Sequence, residues 1–424
     1  MSEWKEVKLG DYIDMTNGYA FKSKSFVNRG IPVLKIKNIK TNKIIIEDID
    51  YISADDNNPR YTIIKPNDLI ITMTGNRIDG SPETWVGKVA LFNLDGKYFL
   101  NQRLSIIRVK KDLVNLLFIL YSLTTIDAQK YFITHATSSG GQANISPDIV
   151  KNFTIKLPSY IIQSEIAGIL SSLDAKIETN NKLNEKLEEM AQAIFKSWFV
   201  DFEPFKDKPF HETELGMIPE GWEVKRLCDI VDNIGGYSYK GNELKESTTA
   251  MCTIKNFERN GGFKIDGYKE IIPSDKLKAS QELSLFDVVV AHTDLTQNAE
   301  VIGNPAIILS KSNYDRIIFS MDLTKVISKN MNVSKSLLYC ILRNKRFKNH
   351  ALGYVNGTTV LHMSKKAVPD YMLAFPKDSA ILTSLSKCFD SIFGRMHEIY
   401  EENDRLASLR DTLLPRLMSG ELIV

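Results

Sequence analysis

The sequence predicts an α+β protein that repeats itself: two strand-rich globular domains joined by two long helices, which form an antiparallel coiled coil with pseudo-twofold symmetry. Three observations predict this fold. Short motifs recur about 218 residues apart, β-branched runs alternate with turn residues in each copy, and a seven-residue apolar period follows each copy. We place the globular domains at 1–160 and 217–379, the helices at 161–200 and 380–424, and a linker at 201–216.

Length and composition agree with this division. The 424 residues exceed one ordinary core, and 43% hydrophobic with 25% charged residues is typical of a globular chain. The sequence has no membrane-spanning apolar run and a polar start, and its four cysteines are widely spaced without a CxxC pair. We therefore expect a cytoplasmic protein without membrane contact, zinc knuckle or disulfide framework.

The repeat is carried by anchors that keep one offset. The segment 4–9 recurs at 222–227 and the segment 18–22 recurs at 236–240, while the tripeptide Ile36-Lys37-Asn38 recurs as Ile254-Lys255-Asn256. Between these anchors the two copies differ greatly. Two similar scaffolds with different surfaces indicate two related tasks on two different targets.

Each globular part combines short strands with some helix. The runs 43–46, 69–72 and 287–290 are rich in β-branched residues and are separated by Asn, Asp and Gly turns. Helix is expected around 113–130. We predict a mixed or antiparallel sheet in each copy, and a loop at 201–221 because prolines and glycines alternate with charged residues there.

Each long helix carries a stripe of apolar side chains that cannot stay exposed to water. We expect the apolar stripe of one helix to pack against the apolar stripe of the other. An end-to-end antiparallel register then places Asn180 opposite Asn403, a buried polar pair that would fix the register. The alternative is two amphipathic helices packed on their own domains. The predicted spacer and subunit-interface residues are Ile166, Leu173, Asn180, Leu187, Ile194, Phe389, Met396, Asn403, Leu406 and Leu413.

Positive charge is concentrated in the globular parts. Residues 1–160 carry a net charge of +5 and residues 217–379 carry +4, whereas the helices and linker are acidic. Arg pairs with guanine and Asn or Gln with adenine, and lysines contact phosphates, although ordinary surface exposure is an alternative for each residue. The predicted DNA-binding residues are Lys22, Lys24, Lys37, Asn38, Asn76, Arg77, Arg103, Gln142, Lys240, Lys255 and Asn256.

Motifs of catalysis are missing from the sequence. The stretch 80–88 has the wrong spacing for a phosphate-binding loop, and Asn58-Pro59-Arg60-Tyr61 lacks the second proline of an adenine methyltransferase turn. A nuclease pattern of Asp148 with Asp174 fails because Asp174 lies in the helix stripe. The six histidines form no metal-binding pair. A binding protein without catalytic residues, metal or cofactor of its own is favoured over an enzyme.

Several stretches resemble type I restriction-modification specificity subunits. Residues 163–178 (QSEIAGILSSLDAKIE) and 189–202 (EMAQAIFKSWFVDF) resemble their central conserved region, and residues 409–422 (LRDTLLPRLMSGEL) resemble their C-terminal conserved region. Residues 218–222 resemble the usual entry to the second recognition domain, and 142–146 resemble a segment near the end of the first. The second copy lacks the Gln and Asn of that segment at 360–364.

The resemblance implies a non-catalytic subunit in which 1–160 and 217–379 are target-recognition domains. Each domain would read one half of a split, asymmetric sequence in double-stranded DNA. The helices would set the spacing and dock two modification (methyltransferase) subunits. S-adenosylmethionine, ATP and Mg²⁺ would belong to those subunits and to the restriction (translocase and endonuclease) subunits, and none to this chain.

Three alternatives stay open. The chain could serve a type IIB-like system, in which one fused protein replaces the separate subunits. It could be a scaffold that organises partners without reading DNA, or an enzyme with an unrecognised site.

Overall fold

The computed structural model describes residues 4–56, 58–77, 84–110, 114–139, 141–294, 298–357 and 360–422. The chain divides into two compact units. The first comprises Met1–Lys176 with Leu406–Val424, and the second comprises Ile177–Arg405. Both bounds fall within long helices, so each unit contains part of both.

The first unit is rich in short strands, as the β-branched runs predict. Its strands are β1 (Lys5–Lys8), β2 (Ile13–Asn17), β3 (Phe26–Val27), β4 (Ile31–Leu34), β5 (Ile39–Lys40), β6 (Lys43–Ile44), β7 (Asp50–Ile52), β8 (Ile63–Ile64), β9 (Leu69–Thr72), β10 (Thr74–Gly75), β11 (Val89–Leu91), β12 (Tyr98–Leu100), β13 (Leu104–Val109), β14 (Thr137–Ser139), β15 (Gln142–Asn144) and β16 (Thr154–Leu157).

These strands form a mixed arrangement. One sheet has the order β11-β9-β13-β2, a second has the order β3-β7-β4-β12-β8, and a small third sheet has the order β10-β15-β14. The β4–β12 pair is parallel, while β1 closes antiparallel on β16. The buried aliphatic residues of β9 and β13 lie in two core clusters, which explains why these strands read as continuous apolar runs.

The helices of the first unit are α1 (Leu116–Thr124), α2 (Ile126–His135) and α3 (Pro147–Asn152), and α4 (Tyr160–Phe199) begins there. The predicted helix at 113–130 is thus two helices, because Thr125 leaves the helical conformation and its side chain caps α2; Leu113 itself lies outside the described residues. The predicted strand at 69–72 is confirmed. The one predicted at 43–46 is shorter and ends at Ile44.

The second unit follows the same plan. Its strands are β17 (Phe210–Thr213), β18 (Gly216–Pro219), β19 (Trp222–Arg226), β20 (Val231–Gly235), β21 (Thr249–Cys252), β22 (Lys269–Glu270), β23 (Glu282–Leu283), β24 (Val288–Ala291), β25 (Thr293–Asp294), β26 (Pro305–Ile307), β27 (Arg316–Phe319), β28 (Leu323–Ser328), β29 (Val355–Asn356), β30 (Leu361–Met363) and β31 (Met372–Pro376). Its helices are α5 (Lys335–Arg343), α6 (Lys345–Leu352) and α7 (Ser379–Ser419), which enters the first unit beyond Arg405.

Apart from β3, which is unmatched among the described strands of the second unit, the orders of the three main sheets correspond strand for strand. The order β20-β28-β24-β26 repeats β2-β13-β9-β11, the order β22-β21-β27-β23 repeats β7-β4-β12-β8, and β25-β30-β29 repeats β10-β15-β14. The parallel pair recurs as β21–β27, and β19 pairs with β31 as β1 pairs with β16. The two copies therefore share one topology.

The segment 201–216 is not the loop that its prolines predicted. Its chain turns at Phe202, whose φ is +52°, and then forms the β17–β18 hairpin. Phe202 and Phe205 are buried, and each ring lies edge-on to Trp222 with centroids 5.2 and 5.3 Å away. Aromatic burial orders this segment, so it belongs to the core of the second unit.

In the first unit, α4 and α7 meet through apolar and charged contacts. Ile166 and Leu417 are fully buried in one core cluster. Asp174 accepts a hydrogen bond from the Tyr121 hydroxyl at 2.8 Å and forms an ion pair with Arg410 at 2.8 Å. Asp174 raises the pKa of Tyr121, although burial of the phenol contributes most. The charged residues that interrupt the stripes thus satisfy each other.

In the second unit, the predicted contact between two asparagines is present. Asn180 Nδ2 donates to Asn403 Oδ1 at 2.9 Å and also to Glu402 at 2.8 Å, while Asn403 Nδ2 donates to Asn181. Asn184 is buried as well, yet neither side-chain atom has a hydrogen-bond partner within the described part of the chain. All ten predicted stripe residues are buried or half-buried.

Among the residues described, none of the helices is both long and apolar enough to cross a lipid bilayer.

Candidate nucleic-acid interface

Four predicted residues meet at one exposed margin of the first unit. We call Asn76, Arg77, Arg103 and Gln142 the first edge. Arg103 Nη1 donates to Gln142 Oε1 at 2.7 Å, and both side chains are exposed. A guanidinium has five donors, so most of the Arg103 donors and the Gln142 amide group still face solvent. This pair presents the donors and acceptors that can read base edges.

Main-chain hydrogen bonds hold the first edge in place. Met73 N donates to the Arg103 carbonyl, and Ile145 N donates to the Met73 carbonyl, both at 2.9 Å. The loop after β12, the strand β10 and the strand β15 are therefore joined side by side. Because these bonds involve only backbone atoms, they fix where Arg103 and Gln142 stand without constraining which side chains occupy those positions.

Asn76 and Arg77 extend the edge beyond β10. Asn76 Nδ2 donates to Thr84 Oγ1 at 3.0 Å, and Arg77 Nη2 donates to the Ala136 carbonyl at 2.9 Å. Both side chains stay exposed. The bond to Ala136 lies next to β14, so Arg77 is anchored at one guanidinium nitrogen and can offer its other donors to a ligand.

The recurring Gly-Tyr motif supports the loop that carries Arg103. A Cβ on Gly18 would lie 2.1 Å from the Asn101 carbonyl oxygen, and one on Gly236 would lie 1.9 Å from the Ser320 carbonyl oxygen. Only glycine permits this close approach of two backbones. Tyr237 is buried, whereas Tyr19 is half-buried in a cluster of aromatic rings.

The predicted lysines lie on the surface. Lys22, Lys24, Lys240 and Lys255 are exposed. Lys37 is also exposed, but its ammonium lies 3.4 Å from Asp50 and 3.5 Å from Asp48. Burial of Asp50 opposes its ionisation, yet the hydrogen bond from Lys35 and the charges of both lysines lower its pKa. Acidic neighbours thus offset part of the Lys37 charge.

Two predicted DNA contacts are wrong. Asn38 and Asn256 are both buried, at 1% and 0% exposure, where no base could reach them. Each side chain instead closes a turn. Asn38 accepts from Lys35 N and donates to the Ile45 carbonyl, and Asn256 accepts from Thr253 N and donates to the Lys264 carbonyl, all at 2.9 Å. The tripeptide recurs because both copies need this turn.

The corresponding margin of the second unit has different chemistry. His292 N donates to the Asp322 carbonyl, and Met363 N donates to the His292 carbonyl, which repeats the two main-chain bonds of the first edge. Asp322 thus stands where the first copy has Arg103, and Val360 stands where it has Gln142. We call Asp322, Val360 and the exposed His362 the second edge. Aligning the two copies at an offset of 218 to 219 could have found them.

Two charged residues, Asp294 and Lys348, hold the chain that follows β25. Asp294 Oδ2 accepts from Val301 N at 2.6 Å and from Ile302 N at 3.1 Å. Lys348 Nζ donates to the carbonyls of Ala299, Glu300 and Ile302 at 3.0, 3.1 and 2.6 Å. Burial lowers the pKa of Lys348 to about 8. Sequence reasoning missed both residues, which clamp the chain after β25.

His292 is a buried imidazole beside this clamp. Burial, followed by the charge of Lys365, lowers its pKa to about 4. Its Nε2 has no hydrogen-bond partner within the described ranges. The ring is therefore neutral at pH 7. The same ranges contain no group of three or more His, Cys, Asp or Glu residues that could hold a metal ion.

Residues 1–189 match the family described as the type I restriction modification DNA specificity domain. The match covers 189 of the 424 residues of the chain. The sequence resemblance to type I specificity subunits is thus confirmed, and the edge built from Asn76 to Gln142 lies within the matched domain.

Similarity to specificity subunits extends over the whole chain. The type I restriction enzyme MjaIX specificity subunit of Methanocaldococcus jannaschii is 26% identical, with 100% of this chain and 94% of the relative covered. The HindI specificity subunit of Haemophilus influenzae is 25% identical, with both chains fully covered. The crystal structure of a type I restriction-modification S subunit from M. genitalium shares the fold, with a TM-score of 0.54, 16% identity, and 98% and 96% of the chains covered.

Proposed function

We propose that this chain is the non-catalytic DNA-recognition subunit of a type I restriction-modification complex. Each strand-rich domain reads one half of a split, asymmetric target in double-stranded DNA. The paired helices set the distance between the halves and dock two modification subunits. The observation that carries the proposal is that two copies of one backbone frame present different polar side chains at the same place.

The side chains of the two edges suit different bases. Arg103 can pair with the O6 and N7 acceptors of guanine, and Gln142 can pair with adenine. Asp322, by contrast, can accept only from a base amine such as N4 of cytosine. Two domains with one frame and opposite charge at Arg103 and Asp322 support recognition of two unlike half-sites, which is what an asymmetric target requires.

The exposed lysines suit the phosphate backbone. Lys22 and Lys24 belong to the domain with net charge +5, and Lys240 and Lys255 belong to the one with +4. Phosphate contacts fix the orientation of a protein on DNA but carry no sequence information directly. We assign these lysines to positioning, and we assign Arg103, Gln142 and Asp322 to base reading.

The long helices suit both a spacer and a docking surface. Asn180 and Asn403 fix the register of the pair within the second unit. On α4, large apolar side chains remain exposed, which is unusual unless a partner covers them. These side chains are Ile161, Ile169, Leu183 and Met190, with exposures between 37% and 71%. We assign the exposed pair of each unit, Ile161 with Ile169 and Leu183 with Met190, to contacts with the modification subunits.

The chemistry of the complex is assigned to partner subunits. We expect S-adenosylmethionine on the modification subunits, and ATP and Mg²⁺ on the restriction subunits, with the whole complex in the cytoplasm. This chain would supply recognition and geometry only. Supplying both through rigid elements is consistent with the backbone-held edges described above.

A methylation map tests the proposal directly. The chain is co-expressed with a type I modification subunit encoded beside it, and the host DNA is sequenced by methylation-sensitive long reads. We expect a split motif with adenine methylation in both halves and a fixed gap. An active complex that yields an unsplit motif or none would overturn the proposal in favour of a scaffold. Methyl transfer or cleavage by the purified chain alone would show that the chain is itself an enzyme. If methylation requires a single fused nuclease-methyltransferase instead of separate subunits, the chain serves a type IIB-like system.

The spacer role predicts the effect of a matched deletion. Removing residues 177–183 from α4 and 400–406 from α7 deletes one facing heptad from each helix, including Asn180 and Asn403, and leaves the facing positions of the remaining heptads unchanged. Each helix shortens by roughly 10 Å at 1.5 Å per residue, which equals about three base pairs of 3.4 Å. We expect a gap about three base pairs shorter with both half-sites unchanged. Loss of either half-site sequence, or an unchanged gap, would contradict a spacer role.

A further inference from the structure

The first unit contains a groove unrelated to either edge. It lies between the start of α2, the strand β16 and the end of α7, and its cavity has a volume of about 780 Å³. We call it the first groove. Its apolar lining includes Ile126, Ile155, Leu414 and Met418, and Ile126 is 62% exposed. A cavity of this volume falls within the range that binding pockets occupy.

The second unit has the same groove in a filled form. Its lining includes Asn344, Leu373, Phe195 and Phe199, which stand where the first groove has Thr125, Ile155, Leu414 and Met418. Thr125 and Asn344 are both helix N-caps, which fixes the correspondence. Here the cavity is only about 210 Å³.

Two features reduce the cavity volume of the groove in the second unit, which we call the second groove. Phe195 and Phe199 are larger than the Leu and Met that replace them, and Leu215 reaches the groove from the turn that joins β17 to β18. Leu215 follows Glu212 and Glu214, and the segment 201–216 carries a net charge of −3. In the second copy, an apolar side chain from an acidic segment therefore lies in the groove.

Charge at the groove rim differs between the two copies. The charged lining of the first groove is Glu6, Asp127, Asp411 and Lys156, which is net negative. In the second groove the charged lining is Arg346 and Asp370, whose charges offset each other. Asp127 occupies the position of Arg346, each two residues after its N-cap. The net negative rim makes the first groove complementary to a basic segment.

We propose that the first groove is a docking site for a peptide segment of another protein, one that carries large aliphatic side chains flanked by lysine or arginine. The aliphatic side chain fills the space that Leu215 fills in the second copy. The basic flanks face Asp127, Glu6 and Asp411. Nothing in this proposal requires DNA, so it stands or falls separately from the recognition function.

Two peptide probes test the proposal on the full-length chain. One is a fluorescein-labelled octapeptide with two leucines flanked on each side by lysines, and the other has glutamates instead of lysines. We expect the basic probe to bind about tenfold more tightly by fluorescence anisotropy, because two or three exposed ion pairs together give roughly that factor. In a chain labelled at methionine methyl groups with ¹³C, the Met418 resonance should shift on binding.

Matched variants locate the effect. Asp127→Arg should reverse the preference, and the milder Asp127→Asn should abolish it; Asp127 is exposed, so both variants should fold. Arg346→Asp in the second groove should leave probe binding unchanged, because Leu215 already lies there. Equal binding of both probes, an unmoved Met418 resonance, or indifference to Asp127→Arg would overturn the proposal.

Other occupants give distinct results. If Met418→Trp converts a dimer into a monomer in light scattering, the groove binds a second copy of this chain. If removal of residues 1–3 and 423–424 tightens the basic probe about tenfold, the chain's own ends occupy the groove. Either outcome would overturn docking by another protein. A normal methylation map with these variants would show that DNA recognition is intact and only the docking has failed.

Discussion

The first and second edges share a backbone frame and differ in the side chains that it carries. Met73, Arg103 and Gln142 of the first copy correspond to His292, Asp322 and Val360 of the second, while the same two main-chain hydrogen bonds join the same three segments. The positions that recur exactly, such as Gly18 with Gly236 and Asn38 with Asn256, are structural. The difference teaches that recurrence marks the scaffold, and under the proposed function the divergent positions mark the surface that meets a target.

The largest expected difference between the copies is acid sensitivity. His292 has a pKa of about 4 in the folded chain, so between about pH 6.5 and pH 4 the unfolded chain binds a proton at this residue and the folded chain does not. The free energy of unfolding of the second copy should therefore fall by about 3 kcal/mol between pH 6.5 and pH 4. Urea titrations at several pH values measure this. The variant His292→Met carries the residue that the first unit has at this position, and its free energy of unfolding should not show this fall. An equal fall in the variant and in the unmodified protein would contradict the role of His292.

The next largest effect concerns the edges themselves. Arg103→Ala should weaken binding to DNA that contains the first half-site by about 2 kcal/mol, because one bidentate base contact is lost. Asp322→Ala should do the same for the second half-site only. Gel-shift titrations with each half-site scrambled in turn separate the two. Equal weakening on unrelated DNA would instead mark Arg103 as a phosphate contact.

A smaller effect compares the two buried asparagines of α4. In the antiparallel register Asn180 faces Asn403, whereas Asn184 faces Ile399 and its amide has no hydrogen-bond partner among the described residues. Asn184→Leu should raise the free energy of unfolding by about 1 kcal/mol, because a buried unsatisfied amide is removed. Asn180→Leu should lower it, since Asn403 loses its partner. Urea unfolding measures both, and a destabilised Asn184→Leu would show that a partner outside the described residues satisfies this amide.

The smallest effect concerns phosphate contacts. Lys22→Ala and Lys240→Ala should each reduce the slope of log affinity against log salt by about 1, uniformly across DNA sequences. Lys37→Ala should change the slope less, because Asp48 and Asp50 already offset its charge. Affinity measured at four salt concentrations distinguishes them. A change confined to one half-site would assign the lysine to base reading.

Much of the fold could be predicted from the sequence, because repeats and periodic apolar residues leave strong local signals. The Asn180–Asn403 contact followed from register alone. The hairpin after Phe202 did not, since its prolines and glycines signal a loop while its aromatic rings find Trp222 only in three dimensions. Asn38 and Asn256 misled for a different reason: their recurrence was interpreted as function, although an amide that closes a buried turn recurs equally well.

The two main-chain bonds at each edge have an evolutionary consequence. Because Met73 N and His292 N donate to carbonyls rather than to side chains, a substitution at Arg103 or Asp322 leaves those bonds intact. A single nucleotide change at either codon can therefore alter the exposed chemistry of one copy at little cost in folding. If the two edges read DNA as we propose, duplication of this frame supplied two recognition surfaces that mutate independently, so that one can change its target while the other keeps its own.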